Sequence, residues 1–312
     1  MAPQGSIDMS GEVSVREVPR PAVGNNTIKM GDEEQPLKPH YLEVENLNRI
    51  PLWLAPCHLV AALFQGMQAL FLFAFSTQTD LRWLVYTNYP SPSRAGLGAN
   101  QYAKPEPVLI GSYPITWYAG LFILLSCIDH ITCILPRLRQ KYEWYIERHQ
   151  SPSRWIEYSF SASLMRMHIA QVAGVTDVYV LFLIYAISHV SLYFCILHEK
   201  LNAKARADGY TQNWTAFYCG CAPHLASWAV IFCYFFSGLS RGSPPGFVWT
   251  IVLSLFFLDM SFPTCFVLQW RKIGVFQDYL VGEFGFIMLS FTCKTFLAWI
   301  TLAGANGYTR RH

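Results

Sequence analysis

Seven long apolar runs fill the chain after its polar first 45 residues, and each is close to the ~20 residues that an α-helix needs to cross a bilayer. Backbone polar groups in hydrocarbon must be hydrogen-bonded within the spanning segment, so each run is expected to be helical. Only 14% of the residues are charged, against roughly 25% in a soluble domain. The sequence predicts an all-α membrane protein, a bundle of seven transmembrane helices over residues 50–75, 113–135, 152–173, 177–198, 214–238, 246–271 and 279–304.

Two segments lie outside this pattern. Residues 1–45 are polar and rich in Gly, Pro, Asn, Asp and Glu, without the apolar stretch of a signal peptide. We predict a disordered cytoplasmic tail there, followed by the seven-helix domain over residues 46–312. The longest connection, residues 76–112, contains four prolines and several glycines. It has the length for a hairpin or a structured cap on the extracellular side.

Loop charge predicts the orientation. The loops after helices two, four and six hold nine basic residues, and those after helices one, three and five hold four. Because basic loops stay cytoplasmic, this count puts the N-terminus in the cytoplasm and the C-terminus outside. The basic residues of the first group are Arg137, Arg139, Lys141, Arg148, Lys200, Lys204, Arg206, Arg271 and Lys272, and those of the second are Arg82, Arg94, Lys104 and Arg241.

Lys294 lies in the middle of the last apolar run, whereas the other seven lysines lie in polar tails or loops. An ammonium group near the bilayer centre costs at least ~2.5–3.5 kcal/mol on insertion scales. Lysine amines form Schiff bases with aldehydes. A single membrane lysine on the seventh of seven helices therefore indicates a bound retinal.

A protonated Schiff base inside a membrane needs a carboxylate on another helix, because two buried charges are tolerated only as a pair. Glu157 on the third helix is the best candidate counterion. Ser161 follows it by four residues and Ser290 precedes Lys294 by four, so each serine shares a helix face with the charge it would support. The alternative is that both serines only pack or bond to their own backbone.

The chain resembles the heliorhodopsins from about residue 47 to its end. The third-helix segment Ser153-Arg-Trp-Ile-Glu-Tyr-Ser-Phe-Ser-Ala-Ser-Leu-Met165 is similar to that family's signature, as are Pro245-Gly-Phe-Val-Trp249, Leu268-Gln-Trp270, Asp278-Tyr-Leu-Val-Gly-Glu283 and Leu289-Ser-Phe-Thr-Cys-Lys-Thr-Phe-Leu-Ala-Trp299. The resemblance implies all-trans-retinal on Lys294 with Glu157 as counterion. It also implies a homodimer and a slow photocycle without ion pumping.

Further polar residues of the apolar runs are candidates for accepting or relaying protons. His58 and His130 match histidines that the family keeps in a polar cluster, and Asp129 adjoins the second of them. Asp259 stands where the family usually has asparagine. His168 lies eleven residues after Glu157, on the same helix face, and imidazole relays protons near neutral pH. Asp129, Asp259, His168 and His189 could line a conduction path. The alternative is that Asp259 is neutral or hydrogen-bonded and that His168 caps a polar pocket.

Two functions remain open from the sequence: a light sensor coupled to an unknown signalling partner, and a light-gated passive proton or cation channel. Lys294 and Glu157 argue against a third class, a retinal-free receptor or structural protein. The chain has no nucleophile–base pair, metal cluster or phosphate-binding loop, so no enzyme activity is expected. The small net charge of +3 does not suggest nucleic acid as a partner, and the expected surroundings are membrane lipid. Neither metal nor disulfide roles are expected for the cysteines.

Overall fold

The computed structural model describes residues 50–76, 82–90 and 105–309. The predicted disordered tail over residues 1–45 lies outside these ranges. The described residues form one β-hairpin of strands β1 (Arg82–Pro90) and β2 (Pro105–Pro114), together with eight α-helices. The helices are α1 (Leu54–Ser76), α2 (Ile115–Ile134), α3 (Pro136–Glu147), α4 (Pro152–Val172), α5 (Val178–Asp208), α6 (Thr215–Leu239), α7 (Gly246–Trp270) and α8 (Tyr279–Thr309).

Six of these eight helices are long and apolar enough to cross a membrane, namely α1, α2, α5, α6, α7 and α8. The chain is therefore an integral, multi-pass membrane protein. The remaining long helix, α4, has 21 residues but carries Arg154, Glu157 and Arg166. In α4, 14 of the 21 residues are buried within the protein, which is about two thirds. In the six candidate spans, the buried share of the most apolar window is only 22–50%. Protein surroundings thus supply the partners that its charges need.

Two segments that the sequence assigned to loops are helical. Helix α3 begins with Pro136, a favoured first residue, and buries Tyr142 and Ile146 while its other face stays polar. Helix α5 continues past the predicted end at residue 198 and stops at Gly209, whose φ of 80° caps the helix in the left-handed region. Basic residues counted above as loop charges consequently lie on helices: Arg137, Arg139 and Lys141 on α3, and Lys200, Lys204 and Arg206 on α5.

The long connection between α1 and α2 contains the hairpin, whose strands pair antiparallel. The hairpin contacts the short link between α4 and α5. Tyr86 donates its backbone N–H to the carbonyl of Thr176 at 2.9 Å, and Asn88 Nδ2 donates to Asp177 Oδ2 at 2.6 Å. The other carboxylate oxygen of Asp177 accepts two backbone N–H groups at the start of α5. A single aspartate therefore caps a helix and fixes the hairpin.

Candidate functional site: a buried lysine between two cavities

Lys294 on α8 is only 3% exposed, and its amine contacts both α2 and α4. Nζ donates to Glu157 Oε1 at 2.7 Å and to Ser126 Oγ. Ser126 Oγ in turn donates to the same Glu157 oxygen at 2.6 Å. Nζ also lies 5.2 Å from the ring centre of Tyr158, within the range of a cation–π contact. The two residues singled out from the sequence as cation and counterion thus form a buried ion pair.

The serine in this pair is not one that the sequence analysis selected. Ser161 is fully buried, but its hydroxyl has no hydrogen-bond partner among the residues that the structure describes. Ser126 on α2 instead bridges the two charges. It precedes His130 by four residues and so shares its helix face, a spacing that could have identified it. Ser290 is buried one turn from Lys294 and lines both cavities described next.

A large cavity of about 200 Å³ opens on one side of Lys294. Its walls come from α4, α5, α6, α7 and α8 and are mostly apolar or aromatic. Such a space suits an apolar ligand attached to the lysine amine, because ligand pockets are chiefly apolar with a few placed polar groups. Residues lining it include Trp155, Tyr158, Met165, Leu192, Cys195, Phe217, Gly220, Phe262, Pro263 and Phe266.

A second, small cavity of about 20 Å³ has a mostly polar lining and lies next to Glu157. It contains the two predicted histidines: His58 Nδ1 and His130 Nδ1 are 2.9 Å apart, and His58 Nε2 is 3.1 Å from the Tyr142 hydroxyl. Asp129 also lines this cavity. The volume is enough for about one water molecule. His58, His130, Asp129 and Glu157 are therefore brought together around one polar space.

Tyr142 reaches this cavity from α3, the helix that the sequence analysis missed. Burial and, secondarily, the nearby Glu283 carboxylate hold the pKa of Tyr142 well above its usual range. The phenol is therefore neutral and available as a hydrogen-bond partner of His58.

Arg154 closes the small cavity on the side of α5 and α8. It pairs with Glu283 on α8 and, at 2.9 Å, with Glu199 on α5. Ser151 connects the same two carboxylates, since its backbone N–H donates to Glu199 at 2.7 Å and its hydroxyl donates to Glu283 at 3.2 Å. Arg154 is thus the centre of a buried cluster that joins α4, α5 and α8.

Asp259 on α7 pairs with Arg166 on α4, nine residues beyond Glu157. Its Oδ2 atom also accepts from Trp228 Nε1 at 2.6 Å and lies 3.3 Å from His224 Nε2. Both charged residues line the large cavity. Asp259 is a relay candidate from the sequence, and its arginine partner is visible only in the structure.

The structure does not join the candidates for a conduction path into one set. His168 is buried beside Thr301, with 3.1 Å between Nε2 and Oγ1. His189 donates from Nδ1 to the carbonyl of Ser159 at 2.7 Å, among aromatic rings. No hydrogen bond links either histidine to Asp129 or Asp259, all four being described residues. Each of these four side chains has different neighbours. Their contacts favour a separate structural role for each over a shared conduction path.

Comparison with known proteins adds a decisive observation. The model of the heliorhodopsin family matches residues 54–305, from the first residue of α1 into the last turns of α8. The chain belongs to the heliorhodopsin family. A comparison with curated proteins gives no significant match.

As a heliorhodopsin, the protein is a rhodopsin, and the family implies a retinal chromophore and a light-sensing role. It is a family of light-sensing or transport proteins and not of classical enzymes. The match includes every residue of the lysine site, from His58 and Ser126 to Lys294.

Proposed function

We propose that the protein is a photoreceptor that holds all-trans-retinal as a Schiff base on Lys294, with Glu157 as the counterion. Its role would be sensory or regulatory, with a slow photocycle, and α4 would be the seventh membrane span. The observation that carries this proposal is the position of the Lys294 amine. The amine is paired with the buried carboxylate of Glu157, and Lys294 lines a mostly apolar cavity.

The residues at the site fit retinal. The amine supplies the point of attachment, and the large cavity offers mostly apolar walls to a polyene. When bound, retinal supplies absorption of visible light and an isomerisation about a double bond. The protein's part is to exclude water and to hold a positive charge at Nζ, and Glu157 at 2.7 Å stabilises that charge.

The small cavity supports a route for the proton held at Nζ. Glu157 and the histidine pair line the same polar space, and Ser126 contacts both Nζ and the carboxylate. A proton leaving Nζ would reach Glu157 first and the pair of His58 and His130 next. We propose that this pair stores the proton and that its slow return sets the lifetime of the signalling state.

A light-gated passive channel is the second candidate, and it has less support. It needs a hydrated path across the protein, whereas the groups proposed to line one lie apart from each other. We also propose the orientation given by loop charge, with the N-terminus in the cytoplasm. Protease added outside intact cells should then cleave a tag after residue 312 and spare one at the N-terminus, and the reverse pattern would contradict this orientation.

Reconstitution with all-trans-retinal tests the function. The wild-type protein should form a visible-absorbing pigment, and Lys294→Ala should abolish it because no other described lysine faces the cavity. Lys200→Ala, on the polar end of α5, is the matched control and should leave the pigment intact. A normal pigment in Lys294→Ala would refute the attachment site. Absence of pigment in the wild type would refute the proposed function.

A further inference from the structure

We propose that Asp259 acts on the absorption maximum of the pigment by compensating the charge of Arg166, which would otherwise shift the maximum to the blue, and is thus a second electrostatic determinant beside Glu157. The proposal rests on the proposed attachment of retinal to Lys294. It assigns a role to a pair of charges that the proton route does not use.

The pair is built into the wall of the large cavity. Arg166 Nη1 donates to Ser227 Oγ at 2.7 Å and to the carbonyl of His224 at 3.2 Å, while Nη2 donates to Asp259 Oδ2. The same Oδ2 accepts from Trp228. The guanidinium is only 5% exposed, and the Asp259 side chain is 22% exposed. Both charges are therefore fixed, and the carboxylate is the less enclosed of the two.

The Lys294 amine and the large cavity have different charged neighbours. Glu157 and Ser126 bind Nζ but do not line the large cavity, whereas Arg166 and Asp259 do. A polyene attached to Nζ would extend into this cavity, and its carbon chain would then pass the wall that holds Arg166 and Asp259. Asp259 contacts Arg166 from α4 and His224 and Trp228 from α6. Cys293 and Lys294 from α8 line the same cavity.

This placement has a spectral consequence. Excitation of a protonated polyene iminium moves positive charge from the nitrogen along the carbon chain. A carboxylate beside the chain stabilises the excited state and shifts absorption to the red, and a cation beside it shifts absorption to the blue. In the wild-type protein the two charges largely offset each other. Removing the carboxylate alone would expose the chain to the uncompensated guanidinium.

Absorption spectra of four variants test this. Asp259→Asn should shift the maximum to the blue by roughly 10–20 nm, because the uncompensated guanidinium raises the energy of the excited state. Asp259→Glu keeps the charge and should stay close to wild type. The double variant Asp259→Asn/Arg166→Gln removes both charges and should return toward wild type. Ser227→Ala removes a neutral contact of Arg166 and should shift the maximum least.

The melting temperature of the retinal-free protein gives an independent readout. Asp259→Asn leaves a buried guanidinium unpaired and should lower the melting temperature, and the double variant should regain part of the loss. Equal absorption maxima in Asp259→Asn and the wild type would overturn the proposal, as would a double variant shifted further than Asp259→Asn. A wild-type protein without pigment would instead refute retinal binding itself.

Discussion

Two of the ion pairs on helix α4 differ in the cation. Glu157 meets a lysine, and nine residues later Arg166 meets an aspartate. A guanidinium stays charged in proteins because its pKa is very high, whereas burial readily lowers the pKa of a lysine amine. The neutral amine is a nucleophile. The first pair is therefore suited to covalent chemistry and proton exchange, and the second is suited to a permanent charge distribution.

The surroundings of the two pairs agree with this difference. Lys294 lines the large cavity and its partner Glu157 lines the small one. A ligand and a proton route can therefore both reach the amine. Asp259 is held by three side chains from α4 and α6, and Arg166 has further partners in Ser227 and His224. A charge inside a membrane is functional by default. In this protein the type of cation separates the two pairs: lysine gives a reactive site, and arginine gives a permanent charge.

The largest effect is expected from neutralising the carboxylate of the first pair. Glu157→Gln removes the negative charge 2.7 Å from Nζ, so the protonated chromophore loses its main stabilisation. Most of the pigment should absorb in the near ultraviolet at neutral pH, and the fraction that stays protonated should absorb further to the red. Ultraviolet–visible spectra of the purified pigment measure both changes.

Asp259→Asn is the matched control for this experiment. It removes a partly buried carboxylate from the wall of the large cavity and leaves the partner of Nζ in place, so the pigment should stay protonated and visible. If Asp259→Asn, and not Glu157→Gln, produced the loss of visible absorption, then Asp259 would be the counterion and the comparison of the two pairs would be reversed.

A second cation of α4, Arg154, extends the comparison to stability. Arg154→Met leaves Glu199 and Glu283 as buried carboxylates without their cation, and breaking a buried charge cluster costs about 3–5 kcal/mol. The thermal unfolding temperature should fall sharply. Arg139→Ala breaks an exposed i,i+4 pair on α3 and should cost about 0.5 kcal/mol or less. Similar unfolding temperatures for the two variants would show that the Arg154 cluster does not stabilise the bundle.

The serines give a smaller and more selective effect. Ser126→Ala removes a hydroxyl that contacts both Nζ and Glu157, whereas Ser161→Ala removes one without a partner among the described residues. A hydrogen bond to a charged group contributes about 1.5–3 kcal/mol. Ser126→Ala should therefore shift the absorption maximum measurably and Ser161→Ala should not. A larger shift in Ser161→Ala would restore the assignment made from the sequence.

The six spans α1, α2, α5, α6, α7 and α8 could be predicted from the sequence, because a helix that crosses hydrocarbon needs about 20 apolar residues and must satisfy its own backbone hydrogen bonds. The polar ends of the helices could not be predicted in this way. Helix α5 passes residue 198 because nothing before Gly209 stops it, and the packing of Tyr142 and Ile146 holds α3 in place. These boundaries depend on caps and tertiary contacts, which hydropathy does not report.

In the site, Lys294 and Glu157 could be selected because each is a charge that an apolar helix does not tolerate alone. Ser126 and the pairing of Arg166 with Asp259 depend on how helices rotate against each other, which one sequence does not give. Ser161 shows the same limit, since a shared face with Glu157 did not bring its hydroxyl to the carboxylate. Same-helix spacing predicts neighbours along one helix, and contacts between helices need the fold.

The smallest expected effect is on membrane current, where we expect none. A path across the protein would have to connect the small cavity beside Glu157 with groups such as His168 and Thr301 further along α4 and α8, and no hydrogen bond joins these groups among the described residues. Cells expressing the pigment and clamped at several voltages should therefore show no steady photocurrent under illumination. A current that reverses with the ion gradient and disappears in Glu157→Gln would establish a passive channel through the lysine site. If Asp259→Asn removed the current and Glu157→Gln did not, the conducting path would instead run along the wall that Arg166 and Asp259 share, and the second ion pair would be the gate.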